Sequence, residues 1–330
     1  MKNGRRFFKM AVLVSVFSLF LAGCGGESKT TAGGEKQSGP KYPAKPIEFI
    51  VPWGPGGGAD QTARSSAPHV EKALGVSLPV VNVAGATGVT GLNKLLAAAN
   101  DGHSILVYTG DTHALLATSK DKPPFKLEDL TPIARMIKAP SFLFVKADGK
   151  YKNWADFEKA AKANPGKVKV GITGQGSPDD MTVQFLNSKG ISLQGVPFPN
   201  PSERYVSVIG GHVDALYEQA GDVRQYVEGK QMIPIIVFDE KRFDAFKDVP
   251  CSKELKLEIY LPQTRSIMIK GGTDPAKIKV LADAFKKAYD TPEYQKWLEQ
   301  QYGTKDSYQG PEDTLKSMKK DIEDMKALIK

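Results

Sequence analysis

The residues with the clearest potential for chemistry form a glycine-rich segment, VPWGPGGGAD, at positions 51–60. Three consecutive glycines, Gly56, Gly57 and Gly58, leave backbone N–H groups uncovered by side chains. The apolar run before them predicts a strand, and the residues from Asp60 onwards predict a helix. These N–H groups would then lie at the positive end of a helix dipole. The pattern predicts an anion site; a flexible turn without a ligand is the alternative.

The same segment meets only part of a dinucleotide-binding fingerprint. Gly54, Gly56 and Ala59 satisfy the loose form G-x-G-x-x-A. That motif needs an acidic residue at the end of the next strand to bind the ribose. The next predicted strand, residues 78–83, contains no carboxylate. We therefore expect no nucleotide cofactor.

The sequence gives no pattern that requires catalysis. It contains no G-x-S-x-G, H-E-x-x-H, C-x-x-C or P-loop motif, and its four histidines are far apart. Ser177 stands in a glycine-rich turn but has no identifiable base. Asp179 and Asp180 are more simply read as acids that stabilise a helix start. We predict no catalytic residue, no metal site and no cofactor.

The beginning of the chain has the pattern of a signal peptide. Four basic residues precede an apolar run at positions 10–21, which is followed by the letters LAGC at 21–24. Those letters resemble a bacterial lipobox, and the resemblance implies that Cys24 becomes the lipidated first residue of the mature protein. An ordinary cleaved signal peptide is the alternative. With Cys24 modified, Cys251 has no partner, so no disulfide is predicted.

Residues 24–40 are polar and glycine-rich, which predicts a flexible tether after the signal peptide at 1–23. Removal of residues 1–23 leaves 41 basic against 37 acidic residues. Because this surplus is small, and no basic run is interleaved with aromatic residues, we expect no nucleic-acid partner.

Alternating strands and helices fill the rest of the chain and predict a mainly parallel α/β fold. A loop of small or polar residues follows each of the strands predicted at 47–51, 78–83 and 104–108. The third of these loops is predicted at 109–113. The strand at 168–172 is likewise followed by a glycine-rich loop and a helix start. Ligands bind outside the carboxyl ends of such strands and in clefts between domains. We predict one lobe from residues 41–139 and 266–330, a second from 140–265, and a ligand cleft between them.

Several motifs, taken in order, resemble the solute-binding receptors of tripartite tricarboxylate transporters. The segments at 42–47, 51–60, 82–88 and 210–214 are similar to the family patterns Y-P-x-K-P-I, V-P-[FW]-x-x-G-G-x-x-D, N-x-x-G-A-x-G and G-G-x-V-D. The resemblance covers nearly all of residues 42–330. It implies a two-lobed, type II-like Venus-flytrap fold that binds a small carboxylate. Together with the lipobox, it leads us to expect a lipid-anchored, extracytoplasmic monomer that delivers its ligand to a two-component membrane permease.

The resemblance also implies a set of ligand-contacting residues in this chain, because the family holds its carboxylate with first-lobe loops. By position, these residues are Trp53, Gly57, Gly58, Asp60, Ala86, Thr87, Thr109, Gly110 and Thr112 in the first lobe and Thr173, Gly174, Gln175, Ser177, Asp179, Phe198, Tyr217 and Gln219 in the second.

The chain departs from the family in two places, and both changes make the second lobe less cationic. Asp180 stands where the family commonly has histidine, and the letters PFPN at 197–200 replace P-Y-K-G. Acids lie in or beside the cleft loops, whereas cations could reach the cleft only from neighbouring elements. The acids are Asp60, Asp111, Asp179 and Glu218, and the candidate cations are Arg204, Arg224 and Arg265. We therefore expect monocarboxylates, including amino acids, to bind more tightly than tricarboxylates. An exported enzyme and a sensory or structural lipoprotein are the alternatives.

Overall fold

The computed structural model describes residues 42–119 and 123–328. The predicted signal peptide, Cys24 and the tether lie outside the described residues. Within those residues, no helix is both long enough and apolar enough to cross a bilayer.

The first lobe is built on a five-stranded sheet whose order is β2-β1-β3-β10-β4. Strand β1 pairs in parallel with β2 and β3, whereas β10 pairs antiparallel with β3 and β4. Both faces of β1 are buried: Phe49 and Val51 join one hydrophobic cluster and Ile50 joins another. The strands are β1 Glu48–Val51, β2 Val80–Asn82, β3 Ser104–Thr109, β4 Leu130–Ala139 and β10 Gln263–Lys270.

The second lobe has a five-stranded sheet of the same kind, in the order β7-β6-β8-β5-β9. Strand β6 pairs in parallel with β7 and β8, and β5 pairs antiparallel with β8 and β9. The strands are β5 Ser141–Lys146, β6 Val168–Ile172, β7 Leu193–Pro197, β8 Ala215–Gln219 and β9 Met232–Val237.

Both sheets are mixed: four strands of each run in one direction, and one strand, β10 or β5, runs opposite to them. The reason for the reversed strand is the path of the chain between the lobes. It crosses between β4 and β5 and returns between β9 and β10, so β5 and β10 each start at the cleft, where Ser141 and Gln263 lie. A strand that starts at the cleft runs opposite to strands that end there. The two-lobed α/β architecture is confirmed. The lobe boundaries at 139/140 and 265/266 stay a prediction; because β10 begins at Gln263, residues 263–265 are treated as part of the first-lobe sheet that they join.

Helices cover both sheets, as buried two-sided strands require. In the first lobe Phe285 packs edge-on against Phe49, with ring centroids 5.9 Å apart. The first-lobe helices are α1 Gly58–Leu74, α2 Val89–Ala97, α3 Gly110–Thr118, α8 Pro275–Tyr289, α9 Pro292–Gln300 and α10 Pro311–Leu328. The second-lobe helices are α4 Trp154–Ala163, α5 Pro178–Ser188, α6 Pro201–Ile209 and α7 Arg224–Glu228.

Helix α1 continues through a proline, Pro68, from Gly58 to Leu74. Proline has no backbone N–H, so the carbonyl of Arg64 has no intrahelical donor. Both residues are exposed, so water can replace that hydrogen bond. The segment after β3 is a helix and not a loop, because Thr109 is extended and the Gln263 side chain accepts from the Gly110 N–H at 2.6 Å. This helix start places Asp111 in the first turn of α3.

Candidate functional site

A small cavity lies between the two lobes, where the amino-terminal ends of four helices meet. Helices α1 and α3 of the first lobe and α5 and α6 of the second each contribute first-turn residues to its lining. The cavity volume is about 40 Å³. A space of that size holds about three water molecules. It therefore suits a compact ligand in the closed arrangement of the lobes.

The glycine-rich segment forms one wall of this cavity. Helix α1 starts at Gly58, and Gly57 caps it without a side-chain hydrogen bond. The first N–H groups of a helix have no intrahelical acceptor, so those of Gly58 and Ala59 remain available at the cavity. A Cβ at Gly57 would lie 2.7 Å from Cγ of Pro201 in the opposite lobe. The glycines are required because the second lobe closes directly on this turn.

Asp60 supports the turn from behind and does not line the cavity. It is buried, and its carboxylate accepts from the Gly56 N–H at 3.0 Å, from Arg64 Nε at 3.0 Å and from Asn82 Nδ2 at 3.0 Å. Burial opposes ionisation, but the hydrogen bonds from Arg64, Gly56 and Asn82 keep the pKa of Asp60 below its usual range. Asp60 therefore positions the glycine segment.

Two buried arginines line the cavity, and each already has a carboxylate partner. Arg204 Nη2 donates to Glu218 Oε2 at 2.7 Å within the second lobe. Arg265, on β10 of the first lobe, donates to Asp222 and to Gln219 Oε1 (3.1 Å), both in the second lobe. The second pair therefore links the two lobes. Neither guanidinium is a free cation awaiting an anionic ligand.

Two further acids, Asp111 and Asp179, line the cavity without a cationic partner among the described residues. Asp111 accepts from Gln263 Nε2 at 3.1 Å. Asp179 accepts from the Thr173 N–H at 2.5 Å and from the Ser177 hydroxyl. Only 7% of Asp111 and 2% of Asp179 is exposed.

Burial shifts the acids of the cavity towards their neutral forms. It raises the pKa of Asp111. Burial, reinforced by the charge of Asp111, raises the pKa of Asp179 to about 6. Burial likewise raises the pKa of Asp222 to about 7, against the opposing effect of Arg265 and with a further contribution from Glu218. The cavity thus holds four acids against two arginines, and burial shifts part of this acidic excess towards the protonated form.

Four polar atoms on lining residues are buried and have no hydrogen-bond partner in the described part of the chain: Trp53 Nε1, Thr109 Oγ1, Arg204 Nε and Asp222 Oδ1. Two are donors, one is an acceptor, and the Thr109 hydroxyl can act as either. A ligand that both accepts and donates hydrogen bonds would satisfy them, and buried polar groups without partners are rare.

The structure brings about half of the sequence-predicted residues to the cavity. Those that line it are Trp53, Gly57, Gly58, Thr109, Thr173, Asp179, Tyr217 and Gln219. Those that do not line it are Asp60, Ala86, Thr87, Gly110, Thr112, Gly174, Gln175, Ser177 and Phe198. Several of the second group support the wall: Ser177 caps α5, and the Gly110 N–H fixes Gln263.

Other lining residues escaped the sequence analysis or entered it only as charges near the cleft. Arg204 and Arg265 do reach the cavity, whereas Arg224 pairs with Glu228 at 3.3 Å outside it. The lining residues without a sequence signal are Ala59, Ser141, Pro178, Pro201, Tyr205, Asp222, Leu261 and Gln263. The glycine next to Asp222, in a turn after β8, was the one local hint of a close approach.

Comparisons with known proteins agree with this architecture. Residues 62–330 match the profile of the tripartite tricarboxylate transporter family receptor. A Cupriavidus necator protein, described as the UPF0065 protein in the gbd 5′ region, is 32% identical over 260 residues, covering 78% of this chain and 79% of its own.

Two solved structures extend the comparison. A TctC solute-binding protein from Polaromonas is 29% identical, with a TM-score of 0.63, over 87% of this chain and 99% of that one. MatC from Rhodopseudomonas palustris, solved with bound malate, is 20% identical, with a TM-score of 0.80, over 88% and 100% of the two chains. At that identity the second likeness concerns the fold.

Proposed function

Because the chain belongs to the tripartite tricarboxylate transporter receptor family, we propose that it captures one small carboxylate between its lobes. Members of this family are periplasmic solute-binding receptors, which places the protein outside the cytoplasm. Family membership also supplies the general partners, a small-molecule ligand and a membrane transporter. The identity of the carboxylate, the attachment to lipid and the absence of turnover are the parts that we add.

The observation that carries the proposal is the start of α1 at the cleft. The N–H groups of Gly58 and Ala59 lack intrahelical acceptors, and Trp53 Nε1 is a further donor without a partner on the same wall. Such a helix start holds a carboxylate with backbone donors and a favourable dipole, and it needs no formal positive charge. Closure of the lobes around the bound carboxylate would then be favoured by its contacts with both sides.

We infer that the preferred ligand carries one carboxylate, as a monocarboxylate or an amino acid. Four acids and two arginines line the cavity, and both arginines are paired. A second or third ligand carboxylate would lose its water without gaining a cation, which costs several kcal/mol. The small cavity also favours a compact ligand over citrate. MatC was solved with bound malate. Because MatC is only 20% identical to this chain, its ligand does not identify the ligand of this protein.

We further propose that Cys24 is lipidated and holds the monomeric receptor at the membrane, from which it serves a two-component permease. An exported enzyme is the competing function. The hydroxyl of Ser177 lies within hydrogen-bond distance of two acceptors near its own turn, Asp179 and the Gly174 carbonyl, and Ser177 does not line the cavity. That arrangement is a helix cap and gives no nucleophile in contact with a ligand.

A thermal-shift screen of carboxylates and amino acids separates these functions. A receptor is stabilised by a small set of carboxylates and returns each of them unchanged after incubation. An enzyme would convert the stabilising compound, which mass spectrometry of the incubated mixture would detect. Absence of stabilisation by every compound would favour a structural lipoprotein and contradict the proposal.

A further inference from the structure

We propose that Asp111 and Asp179 together form a subsite for the protonated amine of the ligand, so that the carboxylate bound here is an amino acid. This inference rests on the proposed function and specifies the class of its ligand. The subsite is defined by the Asp111 carboxylate of the first lobe and the Asp179 carboxylate of the second.

The two carboxylates come from opposite lobes and face one cavity. Asp111 lies in the first turn of α3 and Asp179 in the first turn of α5, and these two helices pack against each other across the cleft. The turn before α5 also touches α3, since a Cβ at Gly176 would lie 2.9 Å from Thr118 Oγ1. Closure of the lobes therefore brings two like charges together.

The ion pairs of the cavity leave these two acids without a cation in direct contact. Arg204 pairs with Glu218 and Arg265 pairs with Asp222, although the charge of Arg204 also lowers the pKa of Asp111 and of Asp179. The hydrogen bonds to the two acids come from neutral donors: Gln263 Nε2 for the first, and the Thr173 N–H, the Asp180 N–H and the Ser177 hydroxyl for the second. Buried carboxylates are normally paired with a cation or protonated. An ammonium group supplies the missing cation, whereas a second carboxylate would add to the surplus.

An independent observation points to a donor in the ligand. Asp222 Oδ1 is buried, lines the same cavity and accepts no hydrogen bond, since Arg265 binds the other oxygen. It faces the glycine wall, where a Cβ on Gly58 would overlap it. An ammonium group has three N–H donors. Its donors match in number the two acids and this free oxygen on the cavity wall.

Acids are common in the first turn of a helix because they stabilise its positive end, and this effect alone would explain one exposed carboxylate in each first turn. It does not explain why Asp111 and Asp179 are buried. Asp180, the neighbour of Asp179, already supplies an acid to this helix start at lower cost: it is partly exposed and accepts from the Gly176 N–H at 2.9 Å and from Gln184 Nε2 at 2.8 Å. Asp179 is therefore not needed as the acid of this helix start, and it lines the cavity.

The proposed subsite also gives the ligand a means of closing the lobes. Without a cation, Asp111 and Asp179 repel each other as the cleft closes, and both are shifted towards protonation there. A cation between them converts that repulsion into attraction in the closed form only. A ligand shifts the open–closed balance by its difference in affinity for the two forms.

The test compares ligands that differ only in the amino group. Calorimetric titrations would use the proteinogenic amino acids and 4-aminobutyrate, each beside the desamino acid of the same carbon skeleton. The proteins would be the wild type, Asp111→Asn, Asp179→Asn and the control Asp180→Asn, with melting curves to establish folding. Asp180 is the matched control because it occupies the same helix turn and does not line the cavity.

We expect at least one amino acid to bind the wild type about tenfold or more tightly than its desamino acid, the usual effect of a hydrogen-bonded charge pair. That advantage should fall about tenfold or more in Asp111→Asn and in Asp179→Asn and persist in Asp180→Asn. Equal binding of both members of every pair would overturn the inference and leave the proposed function intact. Binding of neither member of any pair would remove the proposed function, and this inference with it.

Discussion

The guanidinium of Arg265 in the first lobe donates to the carboxylate of Asp222 in the second, and both side chains are buried in the cleft. Because the two residues belong to opposite lobes, this ion pair exists only while the cleft is closed. In an open form both charges would regain water. The pair is therefore an internal contribution to closure, independent of the ligand.

We expect Asp222→Ala to shift the ligand-free protein towards the open form. The substitution leaves Arg265 buried and unpaired in the closed form, which costs about 3–5 kcal/mol when one partner of a buried pair is lost. Small-angle X-ray scattering should report a larger radius of gyration for this variant than for the wild type. The control is Glu228→Ala, which removes the exposed pair with Arg224. A radius unchanged in Asp222→Ala would contradict this role of the pair.

The glycine wall offers a second prediction. A Cβ on Gly58 would overlap the Arg265 guanidinium and Asp222, so Gly58→Ala should abolish ligand-induced stabilisation while the ligand-free lobes stay folded. A Cβ on Gly310 meets no atom within 4 Å, so Gly310→Ala is the matched control. Melting curves with and without the ligand found in the screen would compare them. If Gly58→Ala kept full stabilisation by that ligand, the segment would be a turn and not a binding wall.

The pH dependence of stability provides a third prediction. The folded-state pKa of Asp179 is raised from 3.8 to about 6, so between these values the folded state binds more protons than the unfolded state. Stability conferred by the protonated form is present below pH 4 and is lost as the pH rises towards 6. The groups that face Asp179 are Asp111, which raises its pKa, and Arg204, Ser177 and Thr173, which lower it.

The measurement is the free energy of unfolding by urea at several values between pH 4 and pH 7, for the wild type and Asp179→Asn. The wild type should lose roughly 2 kcal/mol more than the variant across this range, on the usual conversion of pKa shifts. Titrating groups remote from Asp179 contribute equally to both proteins, and the pKa shift of Asp111, which interacts with Asp179, adds to the difference in the same direction. Parallel pH profiles would show that Asp179 is not the buried acid described here.

The membrane anchor is tested separately from the cleft. Cys24→Ser should abolish incorporation of a labelled fatty acid and leave the body folded and able to bind, because residues 24–40 are expected to act as a tether. Cys251→Ser is the cysteine control, since Cys251 is a buried free thiol in the folded body. Equal labelling of the wild type and Cys24→Ser would contradict the lipobox interpretation.

Local sequence patterns were enough to predict most elements of the fold. The strand at 168–172 has the predicted bounds, and β1 and β3 each differ by one residue from the strands predicted at 47–51 and 104–108, because an apolar or β-branched run ends there at a small or polar segment. Strand direction was not predictable in the same way. The antiparallel course of β5 and β10 follows from where the chain crosses between the lobes, and no local pattern encodes that crossing.

The site was predicted less completely, for a related reason. Trp53, Gly57 and Gly58 stand in a segment whose composition already indicates an anion site. Asp222 and Gln263 stand in ordinary turn and strand segments, and only closure of one lobe on the other brings them to the cavity. The sequence allowed Arg204 and Arg265 to reach the cleft, but their pairing with acids, which removes them as free cations, is visible only in the structure.

The central claim is that this receptor binds a small carboxylate with one carboxyl group in preference to a tricarboxylate. Its most direct test is a side-by-side calorimetric titration of the wild-type protein with a panel of amino acids and monocarboxylates and with citrate, in one buffer at neutral pH. The account predicts saturable binding of at least one member of the panel and no detectable heat with citrate. Tight binding of citrate together with no binding of any amino acid or monocarboxylate would contradict it.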